Sequence, residues 1–314
     1  MIEGFGKFMY NEQKKTRWMA EYLAVNACSR GRISSVFSAS EQYEKDLNKD
    51  ICDFTKEEIV HFFICMEAKS KESLSVTNTF LKNYRRWCDE HGYSSHDVNY
   101  FEHLTIEDFK HYISKDVLEH KFISKETLES YIEQLLNPCD QLLLSLLYHG
   151  VKGKKLKEII DLNVNQIQGN EVHLSTGRVL SLPEEVIELI RKTNNTYEYY
   201  PFSETNTEPI ELVGDKVFKD GLNASTENQD YIYHRFSVKM SKFKKEFDNP
   251  ELSINRIWKS GMLHALLEGA RKNQMSFEEY SVSADAKPIL ERYEFHATPS
   301  KIAKQYKEYI EYIC

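Results

Sequence analysis

Apolar residues recur along this chain mostly at helical spacing, with short polar stretches between them. Residues 11–25 have helical composition, with Trp18, Tyr22 and Leu23 available to pack and Lys14, Lys15 and Arg17 clustered at the start. The small, polar segment Ser29 to Ser35 reads as a loop. Thr55, with Glu58 three residues on, predicts a capped helix start whose apolar stripe is Ile59, Phe62, Phe63 and Met66. The best-patterned helix of the first half runs from Ser73 to His91 and stops at Gly92. Phe80, Leu81, Tyr84, Trp87 and Cys88 share one of its faces; Asn78, Lys82 and Arg85 share another, with Arg86 beside them. A helix from Thr105 to Tyr112 closes this unit, and Ser114 to Phe122 reads as a linker.

Ser124 opens a second region, followed by a long apolar helix from Asp140 to Tyr148 and a further helix from Lys154. Glu171 to Leu174 and Arg178 to Leu182 predict two strands around Ser175-Thr176-Gly177, and Pro183 starts the next helix. Residues 196–232 are rich in Asn, Thr, Glu and Tyr without periodicity, and predict no element. A helix from Arg235 to Phe247 follows, and a tyrosine-rich helix from Ser300 to Ile313 ends the chain. The expected fold is mainly α with a small β-hairpin, an α+β class. Its parts are a helical domain over 1–115, a linker over 116–123 and a second domain over 124–314.

The 314 residues, with 41% apolar and 29% charged side chains, have the composition of a soluble globular protein of about two domains. No apolar run approaches the roughly 18 residues of a membrane span, and the first residues lack a signal-peptide core. Six cysteines without metal-ligand spacing read as reduced core thiols of a cytoplasmic protein, with no metal site and no cofactor. Walker, Rossmann, HExxH and GxSxG elements are absent, which weakens nucleotide-dependent and hydrolase readings. A net charge of −8 argues against DNA as a partner if taken globally. Phosphate contacts are local, however, and residues 231–275 hold nine Lys/Arg against four acids, residues 1–33 six against three.

Two segments are built like an active site with altered side chains. The first is Gly153-Lys154-Lys155-Leu156-Lys157-Glu158-Ile159-Ile160-Asp161-Leu162; the second is Arg256-Ile257-Trp258-Lys259-Ser260-Gly261-Met262, leading to Leu266-Leu267-Glu268. They resemble the boxes that carry the catalytic arginines of tyrosine recombinases, the phage-integrase family. In that family the first reads roughly Gly-x-Arg-x-x-Glu-Leu-x-x-Leu and the second His-x-x-Arg ahead of a Leu-Leu-Glu helix. Lys155 stands where the first arginine belongs, Arg256 where the histidine belongs, and Lys259 where the second arginine belongs. Two guanidinium forks clamp the oxygens of a phosphorane with paired hydrogen bonds, which a lysine's point charge does not reproduce. Losing one such donor costs about 2.7–4 kcal/mol of barrier. Ground-state phosphate binding survives the exchange, so these residues suit holding DNA better than cutting it.

The same resemblance assigns the remaining parts. The family's hairpin lysine has no clear counterpart; Arg178 is the nearest cation, either a phosphate clamp or a solvent-facing strand residue. Tyr306 is closest to the nucleophile position, among the candidates Tyr306, Tyr309 and Tyr312. Yet Ile302, Tyr306, Tyr309, Ile310 and Ile313 form an apolar stripe, which favours a core role. The family's Gly-His box is missing, and His296 reads as structural. Thr77 to Trp87 resembles a helix of the integrase core-binding domain, so that Asn78, Lys82, Arg85 and Arg86 face either the DNA backbone or solvent. Lys152, Lys154 and Lys155 would join Arg178, Arg256 and Lys259 on one DNA-binding surface.

An integrase fold with degenerate boxes, on a chain of this length, is similar to the SPbeta-type phage master repressor (MrpR/YopR) family. The resemblance implies a two-domain clamp on a double-stranded DNA operator, acting in the bacterial host cytoplasm at the nucleoid. The implied role is a sequence-specific repressor that keeps the phage lytic cycle off, on a scaffold without catalysis. An active site-specific recombinase is the alternative from the enzyme class, and a directionality or interaction factor without DNA binding is a third. Self-association or a protein antagonist stays open as a further partnership, and no membrane is implied.

Overall fold

The computed structural model describes residues 9–28, 30–66, 68, 70–105, 107–113, 122–201, 208–221 and 229–313. The chain divides into two compact units, residues 1–118 and 119–314. Of the linker expected between Ser114 and Ile123, residues 114–121 lie outside the described residues, while Phe122 and Ile123 are buried in the core of the second unit. The architecture is mainly helical with small antiparallel sheets, as the hydrophobic pattern implies.

The first unit contains α1 (Glu12–Val25), α2 (Arg30–Leu47), α3 (Lys56–Cys65) and α4 (Lys71–Glu90), with 3-10 turns at Ile51–Asp53, Tyr100–His103 and Asp108–Tyr112. Thr55 and Glu58 form the expected capping box at the start of α3. Trp18, Phe37 and Tyr84 meet edge to face with ring centroids 5.0–5.5 Å apart, tying α1, α2 and α4 into one core. The segment expected as a loop after Ser29 is instead the start of α2. Ile33, Val36 and Phe37 lie at helical spacing and are buried, and that burial outweighs the local preference of Ser and Gly for a turn. The helix expected over Thr105 to Tyr112 is the 3-10 turn Asp108–Tyr112, ahead of which Thr105 donates to Asp108 Oδ2 from both its N–H and its hydroxyl at 2.7 Å.

Two of the three basic residues at the start of α1, Lys14 and Lys15, turn inward. Lys15 and Glu44 are both wholly buried and paired, and Glu44 also accepts from Ser40 Oγ at 2.8 Å and Ile51 N at 2.7 Å. Lys14 pairs with Asp50 at 2.9 Å, and Arg17 bonds Glu21 at 3.0 Å. Of the cysteines expected in the core, Cys52 and Cys88 are buried, whereas Cys65 is exposed and Cys28 and Cys139 are half-buried.

The second unit opens with α5 (Lys125–Gln134), capped by Ser124, and α6 (Pro138–Tyr148), whose Leu142, Leu143, Leu144, Leu146 and Leu147 are fully buried. A helix with no solvent face needs neighbours on several sides, and α6 has them in α5, α8 (Glu184–Asn194) and α10 (Ile254–Lys272). Between α6 and α8 come α7 (Lys157–Ile160) and an antiparallel meander of β1 (Ile167–Gln168), β2 (Glu171–His173) and β3 (Val179–Ser181), with Val172 opposite Leu180. After α8, the stretch that predicted no element holds a second antiparallel sheet of β4 (Glu198–Tyr199), β5 (Ile210–Val213) and β6 (Asp220–Gly221). These strands are too short, and β5 too exposed, to leave an alternation in the sequence. Then follow α9 (Gln229–Glu246), α10, α11 (Phe277–Ser281), α12 (Lys287–Arg292) and α13 (Pro299–Ile313). Helix α9 begins before the expected Arg235. No helix among the described residues is long and apolar enough to cross a membrane.

Candidate nucleic-acid interface

The first segment is not the continuous helix expected from Lys154. Lys154–Leu156 is a 3-10 turn broken by Lys155 (φ 52°) and Leu156 (φ 61°), both in the left-handed region, before α7 begins. That conformation costs roughly 1–2 kcal/mol per residue. The break buries Leu156 while leaving Lys154, Lys155 and Lys157 exposed.

Glu158, fully buried, organises this turn. It accepts from Lys152 N at 3.0 Å, from Thr176 Oγ1 at 2.5 Å, and from Arg178 Nη1 at 3.1 Å on both oxygens. Gly153 is required beside it: its φ is +66°, and a Cβ there would stand 2.9 Å from Glu158 Cγ. Arg178 is therefore drawn inward rather than offered as a clamp. Its other nitrogen, Nη2, donates to Gly150 O at 3.2 Å and to Arg292 O, and Nη1 reaches Glu294 at 3.3 Å. A buried carboxylate needs an opposite charge and hydrogen bonds, and Arg178 supplies both.

The second segment sits on α10, capped by Ser253. Arg256 pairs with Glu251; burial holds its guanidinium below the ordinary value and Glu251 pulls the other way. Asn255, Trp258 and Lys259 lie within one turn of each other. Lys152 joins them: its ammonium lies 4.1 Å from the Trp258 ring centroid and donates to Asn255 Oδ1 at 3.1 Å. Burial pushes the Lys152 ammonium below its ordinary value, Glu294 acts against this, and the charge of Lys259 adds to it. The structure thus brings the two segments together through Lys152, with Lys154 and Lys155 on the adjoining exposed turn. Asn255 and Trp258 were missed from the sequence. Their helical adjacency to Lys259 was the available signal, but their contact with Lys152 spans about a hundred residues of chain.

At the C-terminal end, Tyr306 stacks flat on Phe277, with centroids 3.5 Å apart and planes 3° from parallel. Tyr309 is buried with its ring edge-on to Phe122 at 5.6 Å. The side chain of Tyr312 lies outside the described residues, and His296 is exposed.

In the first unit two expected contacts are corrected. Asn78 is buried and donates from Nδ2 to Phe101 O at 3.0 Å. Arg85, 1% exposed, donates to Cys52 O at 2.6 Å and to His96 O, and pairs with Asp89 at 3.0 Å. The stripe they share faces the unit's own 3-10 turns, so neither is offered to DNA. Lys82 is half-buried, and Arg86 is exposed in a 2.6 Å pair with Glu102, a surface pair of about 0–1 kcal/mol that a phosphate can displace. No cluster of three or more His, Cys, Asp or Glu that could hold a metal ion occurs among the described residues.

Comparison with known proteins finds two family models. Residues 9–90 match "MrpR, N-terminal core-binding domain" and residues 122–312 match "MrpR, C-terminal catalytic domain". Over 177 residues, 55% of this chain, the sequence is 25% identical to the SPbeta prophage-derived uncharacterized protein YopR of Bacillus subtilis (strain 168). The chain spans about half the length of that curated relative, 51%. Among solved structures, a lambda integrase dimer bound to a COC′ core site shares 11% identity and a TM-score of 0.42, with 94% of each chain covered. XerA recombinase shares 13% identity and a TM-score of 0.37, covering 94% of this chain and 98% of its own. By the two models, which between them take in most of both units, the chain belongs to the MrpR family.

Proposed function

We propose that this protein is a sequence-specific DNA-binding repressor that keeps a phage lytic programme off, holding double-stranded DNA on a recombinase-type scaffold without cutting it. The observation that carries this reading is where the cations go. Lys152 lies over the Trp258 ring, close enough to Lys259 to feel its charge, and next to exposed Lys154 and Lys155, which suits phosphate binding. Arg178 is held by Glu158, Arg256 by Glu251, and the Tyr306 ring lies flat on Phe277. The residues at the family's nucleophile and histidine positions, and the cation nearest its hairpin lysine, would have to leave these partners before strand cleavage. The membership in the MrpR family and the prophage relative support the phage setting.

The test is a titration of the full chain onto fragments of the source genome, by fluorescence anisotropy at several salt concentrations. A Lys152→Ala/Lys155→Ala/Lys259→Ala variant is expected to bind far more weakly and to lower the slope of log K against log salt by about 2.7, at about 0.9 per lost phosphate contact. An unchanged slope would remove these lysines from the interface. The family model's word "catalytic" keeps a recombinase in view as the second reading. On a suicide substrate resolved by denaturing gel we expect no covalent adduct; an adduct that vanishes in Tyr306→Phe would make the protein a recombinase.

A further inference from the structure

An open cleft of about 1040 Å3 lies within the second unit, between α9 and the β4–β5–β6 sheet. Ile160, the last residue of α7, lines it, so the cleft adjoins the element that follows the lysine turn. Several lining cations are already matched by carboxylates: Lys216 by Asp161 at 2.8 Å, Arg235 by Asp220, and Lys239 by Asp140. Lys219 and Lys242 line the same cleft and make no ion pair with any carboxylate among the described residues. Lys219 is partly buried, donates to Asn194 O and sits 4.7 Å from the Tyr197 ring centroid. Its ammonium has a carbonyl and a ring face as partners but, among the described residues, no counter-charge, which an anion would supply.

The rest of the lining narrows the class of anion. Tyr199 and Phe218 are half-buried aromatic rings of the lining, one with the Lys239 ammonium 4.6 Å from its centroid and the other edge to face with Phe236. Ile210, Val213 and Val238 are exposed apolar side chains of the same lining. Large apolar side chains left together at a surface cleft mark a place where something apolar lies. The exposed carboxylates of Glu211 and Asp215 on the same wall are acceptors for amino and imino donors. A flat apolar ring carrying N–H donors at one end and an anion at the other satisfies all three features.

We propose that this cleft is a binding site for a nucleoside phosphate, its phosphate on Lys219 and Lys242, its base against Tyr199 and Phe218. The site is separate from the lysine surface described above and is read without DNA. Free nucleotide and the phosphodiester of a DNA strand share this chemistry, and the experiment separates them.

Isothermal titration of the full chain with guanosine 5′-monophosphate is expected to show saturable one-site binding, with inorganic phosphate binding much more weakly. Lys219→Met should weaken the nucleotide at least about tenfold, the scale of one charge-assisted hydrogen bond. Val238→Trp, which fills the cleft from an exposed helix position, should abolish nucleotide binding while leaving duplex affinity within about twofold of the parent. That scale is usual for surface changes away from a contact. No saturable heat with nucleotide, or equal binding by the parent and both variants, would overturn the proposal. So would loss of duplex affinity in Val238→Trp without any nucleotide binding, since the cleft would then belong to the DNA track.

Discussion

Glu158→Ala is expected to destabilise the second unit by about 3–5 kcal/mol, the cost of leaving one member of a buried ion pair without the other. The carboxylate removed is fully buried and accepts from Lys152 N, Thr176 Oγ1 and Arg178 Nη1. Its loss leaves Arg178 with only the exposed carboxylate of Glu294 as counter-charge among the described residues and strands the Lys152 N–H. Glu158→Gln keeps an acceptor and the shape but not the charge, and should recover part of the loss. Urea denaturation followed by far-ultraviolet circular dichroism gives both values. A loss below about 1 kcal/mol for Glu158→Ala would mean that Arg178 finds water instead, and that the buried pair does not organise the turn. The lysine surface should weaken together with stability, because the backbone N–H of Lys152 is fixed by this carboxylate.

Gly261→Ala is expected to cost at least about 3 kcal/mol, at or beyond the upper end for overpacking a core. The added Cβ would lie 1.8 Å from the Tyr148 carbonyl oxygen and 2.7 Å from its carbon. Both atoms are backbone, so no rotamer change relieves the contact, and α10 must move away from α6. That movement would also separate Trp258 and Lys259 from Lys152, and drag at the 2.5 Å hydrogen bond from Tyr293 OH to Tyr148 O. A thermal midpoint within a few degrees of the parent would show that the two helices can part cheaply. Alanine ordinarily favours a helix interior over glycine by about 1 kcal/mol, so a marked loss here can only come from packing.

Much of this architecture is legible from local signals. The capping box at Thr55, the stop at Gly92, the all-buried α6, the hairpin around Gly177 and the tyrosine-rich final helix each carry a pattern within a dozen residues. Two kinds of feature are not legible that way. Helix α2 begins in a Ser- and Gly-rich stretch because Ile33 and Phe37 find a distant core, and only the folded chain supplies that burial. The polarity of a face also misleads when its partner is another polar element. Asn78 and Arg85 look like an exposed stripe, yet they satisfy backbone carbonyls of Phe101 and Cys52 inside the unit. Arg178 fails in the same way, its partner being a glutamate twenty residues earlier. The two segments themselves were readable as a pair, but that Lys152 reaches Asn255 and Trp258 from just ahead of the left-handed break at Lys155 and Leu156 was not.

That inward arginine has a kinetic side. Its hairpin can form from neighbouring residues alone, but the carbonyl of Arg292 that it grips lies 114 residues further along the chain. During synthesis the turn bearing Lys154 and Lys155 emerges well before α12, so the surface cannot set until almost the whole second unit has left the ribosome. Closure over so long a stretch of chain is slow by its topology. Until it occurs, the early helices of this unit wait with their apolar faces uncovered and exposed to misassembly.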